Sequence, residues 1–312
     1  MESATVHRVG RRGALSAPFF LLLLALAAGC GGSGSAGAPK EAPETTGAAV
    51  AADEEVTLGY LGWDESVAVA HLTGMLLEEL GYEEVELRRL ERPEAVYRGV
   101  ASGELDAFQD VWLPTHEDLL RSVEVELLEP WTIGSTRSSL AVPSYMRVRT
   151  YEGLLNSRAE KLVGTEPGAA PVEIPDYPPP GYEKDLYPST EAMYEEVDRL
   201  YAAREPFVFL AYSPHWANER YEFEYIEDPE KELGTLTQPA RIHTVVREGL
   251  RREDPRTHAL LREISLAEYQ LQSLELAIRQ ADSPSHGARA WASANEELTR
   301  SWLDAAREPA PG

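Results

Sequence analysis

VTLGYLGWDESVAVAHLTGMLLEELGYEEVEL, residues 56–87, decides the fold class. Val56-Thr57-Leu58-Gly59-Tyr60-Leu61 is a short apolar run of strand length. From Glu65 to Leu80 the period changes. Val69, Leu72, Leu76 and Leu80 recur every three or four residues, which places them on one face of a helix that stops at Gly81. Val85-Glu86-Leu87 then reads as strand again. Further out, Pro93 opens a helix through Val100, and Leu105 to Val111 is a third strand. Strand and helix alternate, which predicts an α/β fold with a largely parallel sheet.

Leu140-Ala141-Val142-Pro143 reads as a strand leaving this first unit. A second unit follows: a strand over Lys161 to Gly164, a helix capped by Ser189 or Thr190 with Met193, Val197, Leu200 and Tyr201 on its apolar face, and a strand Phe207-Val208-Phe209-Leu210. Glu173 to Pro188, rich in proline and tyrosine, reads as a loop. Ile242 to Val246 is a further strand, and helices are expected near 256–263, 266–279 and 286–306. No repeat recurs at a fixed period. With 312 residues there is room for two lobes.

The formal charge of -24 argues against nucleic acid and anionic membrane surfaces as partners, since both repel a polyanion. Its ordinary consequence is a well-solvated surface. The chain has a single cysteine, Cys30, so neither an internal disulfide nor a multi-cysteine metal site is open to it. Arg8, Arg11 and Arg12 precede the apolar run Phe19 to Leu26, which ends in Ala27-Ala28-Gly29-Cys30. That is the pattern of an export signal, too short to span a membrane. The small residues before Cys30 resemble the lipobox of bacterial lipoprotein signal peptides, with Ala27 where leucine is commoner. The resemblance implies residues 1–30 as a lipoprotein signal peptide and Cys30 as the lipidated residue. Residues 31–53, Gly- and Ser-rich and then Ala, Pro, Glu and Thr, have almost nothing to bury and read as a flexible tether.

Aromatic residues recur where strands end: Trp63 in Gly62-Trp63-Asp64-Glu65, Trp112 in Asp110-Val111-Trp112-Leu113-Pro114, and Tyr212 in Tyr212-Ser213-Pro214-His215-Trp216. Ligands of open α/β sheets sit outside the carboxyl ends of strands, so these rings could converge on one crevice. A quaternary ammonium group suits such rings, because it has no N–H to donate and ring faces attract its spread charge. Spacing alone equally allows large aromatics that only fill core or surface.

From about Val56 to Leu303 the chain resembles the substrate-binding proteins of glycine betaine/choline-type ABC importers. The matching pieces, in order, are Trp63-Asp64-Glu65-Ser66-Val67-Ala68, Gly103-Glu104-Leu105-Asp106-Ala107-Phe108, Trp112-Leu113-Pro114-Thr115-His116, Ser139-Leu140-Ala141-Val142-Pro143, Gly164-Thr165-Glu166-Pro167-Gly168-Ala169, Ser213-Pro214-His215-Trp216 and Ile242-His243-Thr244. The resemblance implies a two-lobed, periplasmic-binding-protein-like fold of type II with the ligand in the interlobe cleft. Lobe I would comprise 54–140 plus 236–306, and lobe II 141–235. It implies an aromatic cage of Trp63, Trp112 and Tyr212, where the family more often has tryptophan at the last position. By the same match His116 grips a ligand carboxylate, with backbone amides of Ala169 and Ala170 beside it. Pro171 has no N–H, so that clamp is weakened or rearranged. Ser138 falls about where choline binders carry a cage tyrosine. Glu65 could accept from a choline hydroxyl, but betaine-type members also carry an acid there.

The function implied is the extracytoplasmic, membrane-anchored binding component of an ABC importer for glycine betaine or a related quaternary ammonium solute. Its partners would be permease and ATPase subunits; the chain would be a monomer with no cofactor, no metal and no catalytic residue. Choline, carnitine and proline betaine are the competing ligands. A competing class is an enzyme using His116 or Glu65 as acid or base, but no nucleophile–base set, phosphate loop or metal-ligand spacing appears. A third reading is a lipoprotein that uses the cage to sense or to recognise a partner.

Overall fold

The structure, a computed structural model, describes residues 55–165, 183–233 and 237–309. In the first part of the chain, strand β1 (Glu55–Tyr60), helix α1 (Asp64–Glu79), β2 (Glu84–Arg89), α2 (Pro93–Ser102), β3 (Ala107–Leu113), the short helix α3 (Glu117–Arg121), β4 (Glu126–Leu127) and β5 (Thr132–Ile133) follow one another. β6 (Arg137–Pro143), α4 (Tyr151–Leu155), β7 (Lys161–Thr165), β8 (Glu183–Tyr187), α5 (Thr190–Ala203), β9 (Val208–Ser213), α6 (Ala217–Arg220) and β10 (Phe223–Tyr225) make the middle. The chain closes with β11 (Arg241–Val246), α7 (Leu250–Glu253), α8 (Pro255–Glu263), β12 (Leu266–Ala267), α9 (Glu268–Arg279), α10 (Pro284–Ala294) and α11 (Glu296–Arg307).

Two five-stranded sheets result, in the orders β2-β1-β3-β11-β4 and β10-β6-β9-β7-β8. Each is parallel where strand and helix alternate and antiparallel where the chain enters from the other sheet. β1 runs parallel to β2 and β3, whereas β11 lies antiparallel to β3; β7 runs parallel to β8 and β9, whereas β6 lies antiparallel to β9. The sheets are therefore mixed rather than largely parallel. β6 belongs whole to the second sheet, so the first crossing lies ahead of Arg137, earlier than the expected boundary at residue 140. At the crossings Thr136 and Ala240 form an antiparallel bridge with both backbone bonds made, at 2.7 and 3.1 Å, and the Thr136 hydroxyl donates to the Ala240 carbonyl.

The first core packs Leu58, Leu72, Leu76, Phe108 and Val245 against the C-terminal helices through Leu274, Trp291 and Trp302. In the second sheet strict alternation fills both faces. Leu140, Val142, Val208 and Leu210 point into one cluster, and Ala141, Phe209 and Ala211 into another with Tyr194 and Trp216. Ser189 caps α5 by accepting from the Ala192 N–H.

Two local expectations change. Within the expected loop 173–188, Glu183–Tyr187 is a strand, paired parallel to β7 at the sheet edge. Its acidic, proline-flanked sequence is the kind that blunts an exposed edge. The expected helix 286–306 is two helices, divided at Asn295, which leaves helical geometry (φ -119°, ψ 35°) and donates its side-chain amide to the Trp291 carbonyl. Among the described residues no helix is long and apolar enough to cross a membrane. Cys30, the tether and Ala169, Ala170 and Pro171 lie outside the described residues.

Candidate functional site

Trp63 stands in extended geometry as the N-cap of α1, Trp112 is near the end of β3, and Tyr212 is near the end of β9. All three occupy the carboxyl ends of strands or the turn just beyond; two of the rings meet directly, and Trp63 joins them through His116. Trp112 meets Tyr212 edge to face with ring centroids 5.9 Å apart, and Trp63 lies 5.9 Å from the His116 ring. Trp112 comes from the first sheet and Tyr212 from the second, so the aromatic corner is built from both. Leu113-Pro114 and Ser213-Pro214, one residue past Trp112 and Tyr212, are cis peptides. Ser138 lies in β6 opposite Tyr212 in register.

His116 has a defined orientation. Its Nδ1 accepts from the Trp112 backbone N–H at 3.3 Å and from the Tyr97 hydroxyl at the same distance. Burial lowers its pKa to about 4, so the ring is neutral at pH 7. With the Nδ1 lone pair engaged, the proton sits on Nε2, and the ring presents an N–H donor. Tyr97, from α2, is thus a positioning residue that sequence reading missed.

One acid, Asp110, was also missed, and the candidate acid Glu65 is tied to the same corner. The Trp112 indole N–H donates to Asp110 Oδ1 at 2.7 Å, and the Tyr212 hydroxyl donates to Glu65 Oε2 at 2.8 Å. Asp110 is fully buried and Glu65 nearly so. Burial, only partly offset by the Trp112 and Ser66 donors, pushes Asp110 up to about 7. Burial and the neighbouring Asp110 charge raise Glu65 well above the usual carboxylate range. One signal for Asp110 was in the sequence: a charged residue two before Trp112 in a strand shares its face.

A second contact between the units lies beside this one. Asp64, next to Trp63, accepts from His215 Nε2 at 3.0 Å and from the Trp216 indole. Burial raises the Asp64 carboxyl, but the His215 and Trp216 donors and the Arg279 charge together bring it below its ordinary value. His215 is fully buried and its Nδ1 accepts from the Ala217 N–H, so this histidine serves the junction and does not face the aromatic corner with a free nitrogen. The Trp216 backbone N–H donates to Glu275 of α9, and the Ser213 hydroxyl to Glu268. Three consecutive residues, Trp63, Asp64 and Glu65, therefore supply a ring and two acids to the junction. Among the described residues no cluster of histidine, cysteine or acidic side chains could hold a metal ion.

A family model described as the substrate binding domain of ABC-type glycine betaine transport systems matches residues 54–294. The glycine betaine/carnitine transport binding protein GbuC of Listeria monocytogenes is 24% identical over 116 residues, a stretch covering 37% of this chain and 38% of that protein. Among solved structures, lactococcal OpuAC in its closed, liganded conformation with glycine betaine is 27% identical, with a TM-score of 0.72 over 80% of this chain and all of that one. An ABC-transporter choline-binding protein in complex with choline shares the fold at 22% identity and a TM-score of 0.70, over 80% of this chain and 92% of that one.

Proposed function

Because the chain belongs to the family of substrate-binding domains of ABC-type glycine betaine transport systems, we infer that it captures a quaternary ammonium solute, glycine betaine first, for import. The family and the two-lobed fold are those of transport binding proteins rather than enzymes. The observation that carries the ligand reading is the pairing of an aromatic corner with one oriented donor. Trp63, Trp112 and Tyr212 offer ring faces to a cation that has no N–H, each contact worth about 0.5–2 kcal/mol. His116, neutral and with its proton on Nε2, offers a hydrogen bond to a carboxylate, the group that distinguishes betaine from choline. Ala169 and Ala170 would add backbone donors.

Ligand bridging the units would favour their contact, since it binds the joined state better than the separated one. The protein does no chemistry on its ligand; capture and presentation to the permease and ATPase subunits are its whole task. It acts as a monomer outside the membrane, on a lipid anchor at Cys30; Cys30→Ser should release it from the membrane fraction, and unchanged retention would rule the anchor out.

The test of the ligand is calorimetric titration of protein lacking residues 1–30 with glycine betaine, proline betaine, carnitine and choline. Saturable binding with glycine betaine tightest is expected. Heat from none of them, in protein with native circular dichroism, would overturn the reading.

A further inference from the structure

Two rings of the aromatic corner rest their polar edges on buried acids, Trp112 on Asp110 and Tyr212 on Glu65, while the rings meet each other edge to face. Asp110 reaches this place from β3 and Glu65 from the first turn of α1, so two carboxyl groups stand behind the aromatic corner. Among the described residues, no lysine or arginine appears in the electrostatic environment of either. The Asp110 charge is felt at Glu65, and Asp110 Oδ2 is buried with no hydrogen-bond partner among the described residues. Two buried carboxylates that feel each other without a cation cannot both ionise cheaply, so their protons are coupled.

The groups around the pair leave it as the element free to respond near neutral pH. From α1, Asp64 is held ionised by His215, Trp216 and the Arg279 charge. From α9, burial and the neighbouring acids raise Glu275 well above the usual range, Arg279 lies over the Trp216 ring at 4.1 Å, and Glu268 takes the Ser213 hydroxyl. From β9 and α2, burial raises Tyr212 and Tyr97 and keeps them neutral. His116 and His215 are both depressed by burial.

We propose that Glu65 and Asp110 are a proton-sharing pair that adjusts the charge of the cleft to the charge of the ligand and so sets the choice between zwitterionic and cationic quaternary amines. The proposal rests on the function proposed above. A zwitterion such as glycine betaine brings no net charge, and the pair keeps its shared proton. A cation such as choline brings one positive charge and no carboxylate, so the pair gives one proton to solvent and meets the ligand with one more negative charge. The change is a proton transfer alone, from carboxyl to bulk water.

The measurable consequence is pH-dependent selectivity. When two complexes differ by one bound proton, the ratio of their affinities changes about tenfold per pH unit across the titration. The ratio of choline to glycine betaine affinity should rise with pH between about pH 6 and 8, around the titration of Asp110 near 7. His116, titrating near 4, does not contribute in this range.

The experiment is calorimetry of both ligands from pH 6 to 8.5, in two buffers of different ionisation enthalpy at each pH. Wild-type protein should release about one more proton on binding choline than on binding glycine betaine, with the ratio of affinities rising as above. In Asp110→Asn, and separately in Glu65→Gln, the rise should collapse to less than about threefold over the whole range, since the remaining acid has lost its partner in the pair and Asp64 beside it stays ionised throughout. Equal proton counts for the two ligands in wild type, or a ratio constant with pH, overturns the proposal while leaving the functional reading intact. A variant that fails to fold leaves the wild-type proton count to decide. Absence of binding by either ligand at every pH overturns the functional reading, and this proposal with it.

Discussion

Tyr212, at the end of a strand in the second sheet, donates its hydroxyl to Glu65 in the first turn of α1, at 2.8 Å. A phenol does here what neither a phenylalanine nor an aliphatic side chain could: it supplies a ring to the corner and a donor across the junction. Tyr212→Phe separates the two roles. Loss of one hydrogen bond to a buried acid should cost about 1–3 kcal/mol in denaturant stability, while ligand affinity falls less than in Tyr212→Ala. Equal affinity losses in Phe and Ala would mean that the hydroxyl matters to binding and the ring does not.

Trp112→Ala removes ring packing and cation attraction and should weaken any quaternary amine at least about tenfold, or about 1.5 kcal/mol. His116→Ala discriminates between ligands. A charge-assisted hydrogen bond is worth about 1.5–3 kcal/mol, so glycine betaine should weaken about ten- to a hundredfold and choline far less. Parallel titrations of both variants with both ligands check this, and equal losses for both ligands in His116→Ala would make the histidine structural.

The fold was largely legible because hydrophobic period and capping agree along the chain. Leu72 and Leu76 are fully buried where the helical spacing placed them, and Ser189 caps α5. The gathering of Trp63, Trp112, Tyr212 and His116 in one place was legible only through order and spacing matched to a family. What escaped was pairing over long sequence separations. Nothing local to Asp64 announces His215 and Trp216, some 150 residues away, and nothing local to Glu183 announces an edge strand whose partner is β7. The burial of acids is hard to read for the same reason, since it is a property of the assembled fold; Asp110 shares a strand face with Trp112 in the sequence, but its complete burial follows only once β3 is placed beside α1 and β11.

Stability should depend on pH in an unusual direction. His71 and His116 are depressed to about 4 by burial, so what they contribute is full above the unfolded value of about 6.5 and is lost as pH falls towards 4. Asp110, Glu65 and Glu275 are raised, so what they contribute is full below about 4 and is lost as pH rises through their folded values, near 7 for Asp110. Between 4 and 6.5 the two trends oppose each other. Above 6.5 only the acids remain, and ligand-free protein should lose about 1–3 kcal/mol between pH 6.5 and 8.5 in urea denaturation. Asp110→Asn should remove much of that slope; an unchanged slope would place its origin elsewhere.

Gly287 lets α10 lie close against the backbone of α9. A methyl group there would sit 2.3 Å from the Ile278 Cα and 2.7 Å from the Ala277 carbonyl oxygen, both backbone atoms with no rotamer to yield. Gly287→Ala should therefore cost at least about 1–3 kcal/mol, read as a lowered melting temperature, despite alanine's better helix propensity. A neutral or raised melting temperature would show that the two helices can separate freely.

The bridge between Thr136 and Ala240 has a mechanical meaning. The chain crosses between the sheets twice, and at this rung the outgoing and returning strands are tied together by both backbone bonds and a side-chain hydroxyl. Two untied connectors could slide, splay or twist independently, which would give the units several degrees of freedom. A ladder with one rung bends easily about the line across it and resists shear along it. Any relative motion of the two sheets would thereby be reduced towards a single coordinate, along which the contacts Tyr212 and His215 make with Glu65 and Asp64 would change together. Ring contact and hydrogen bonding would then be made or broken together rather than piecemeal.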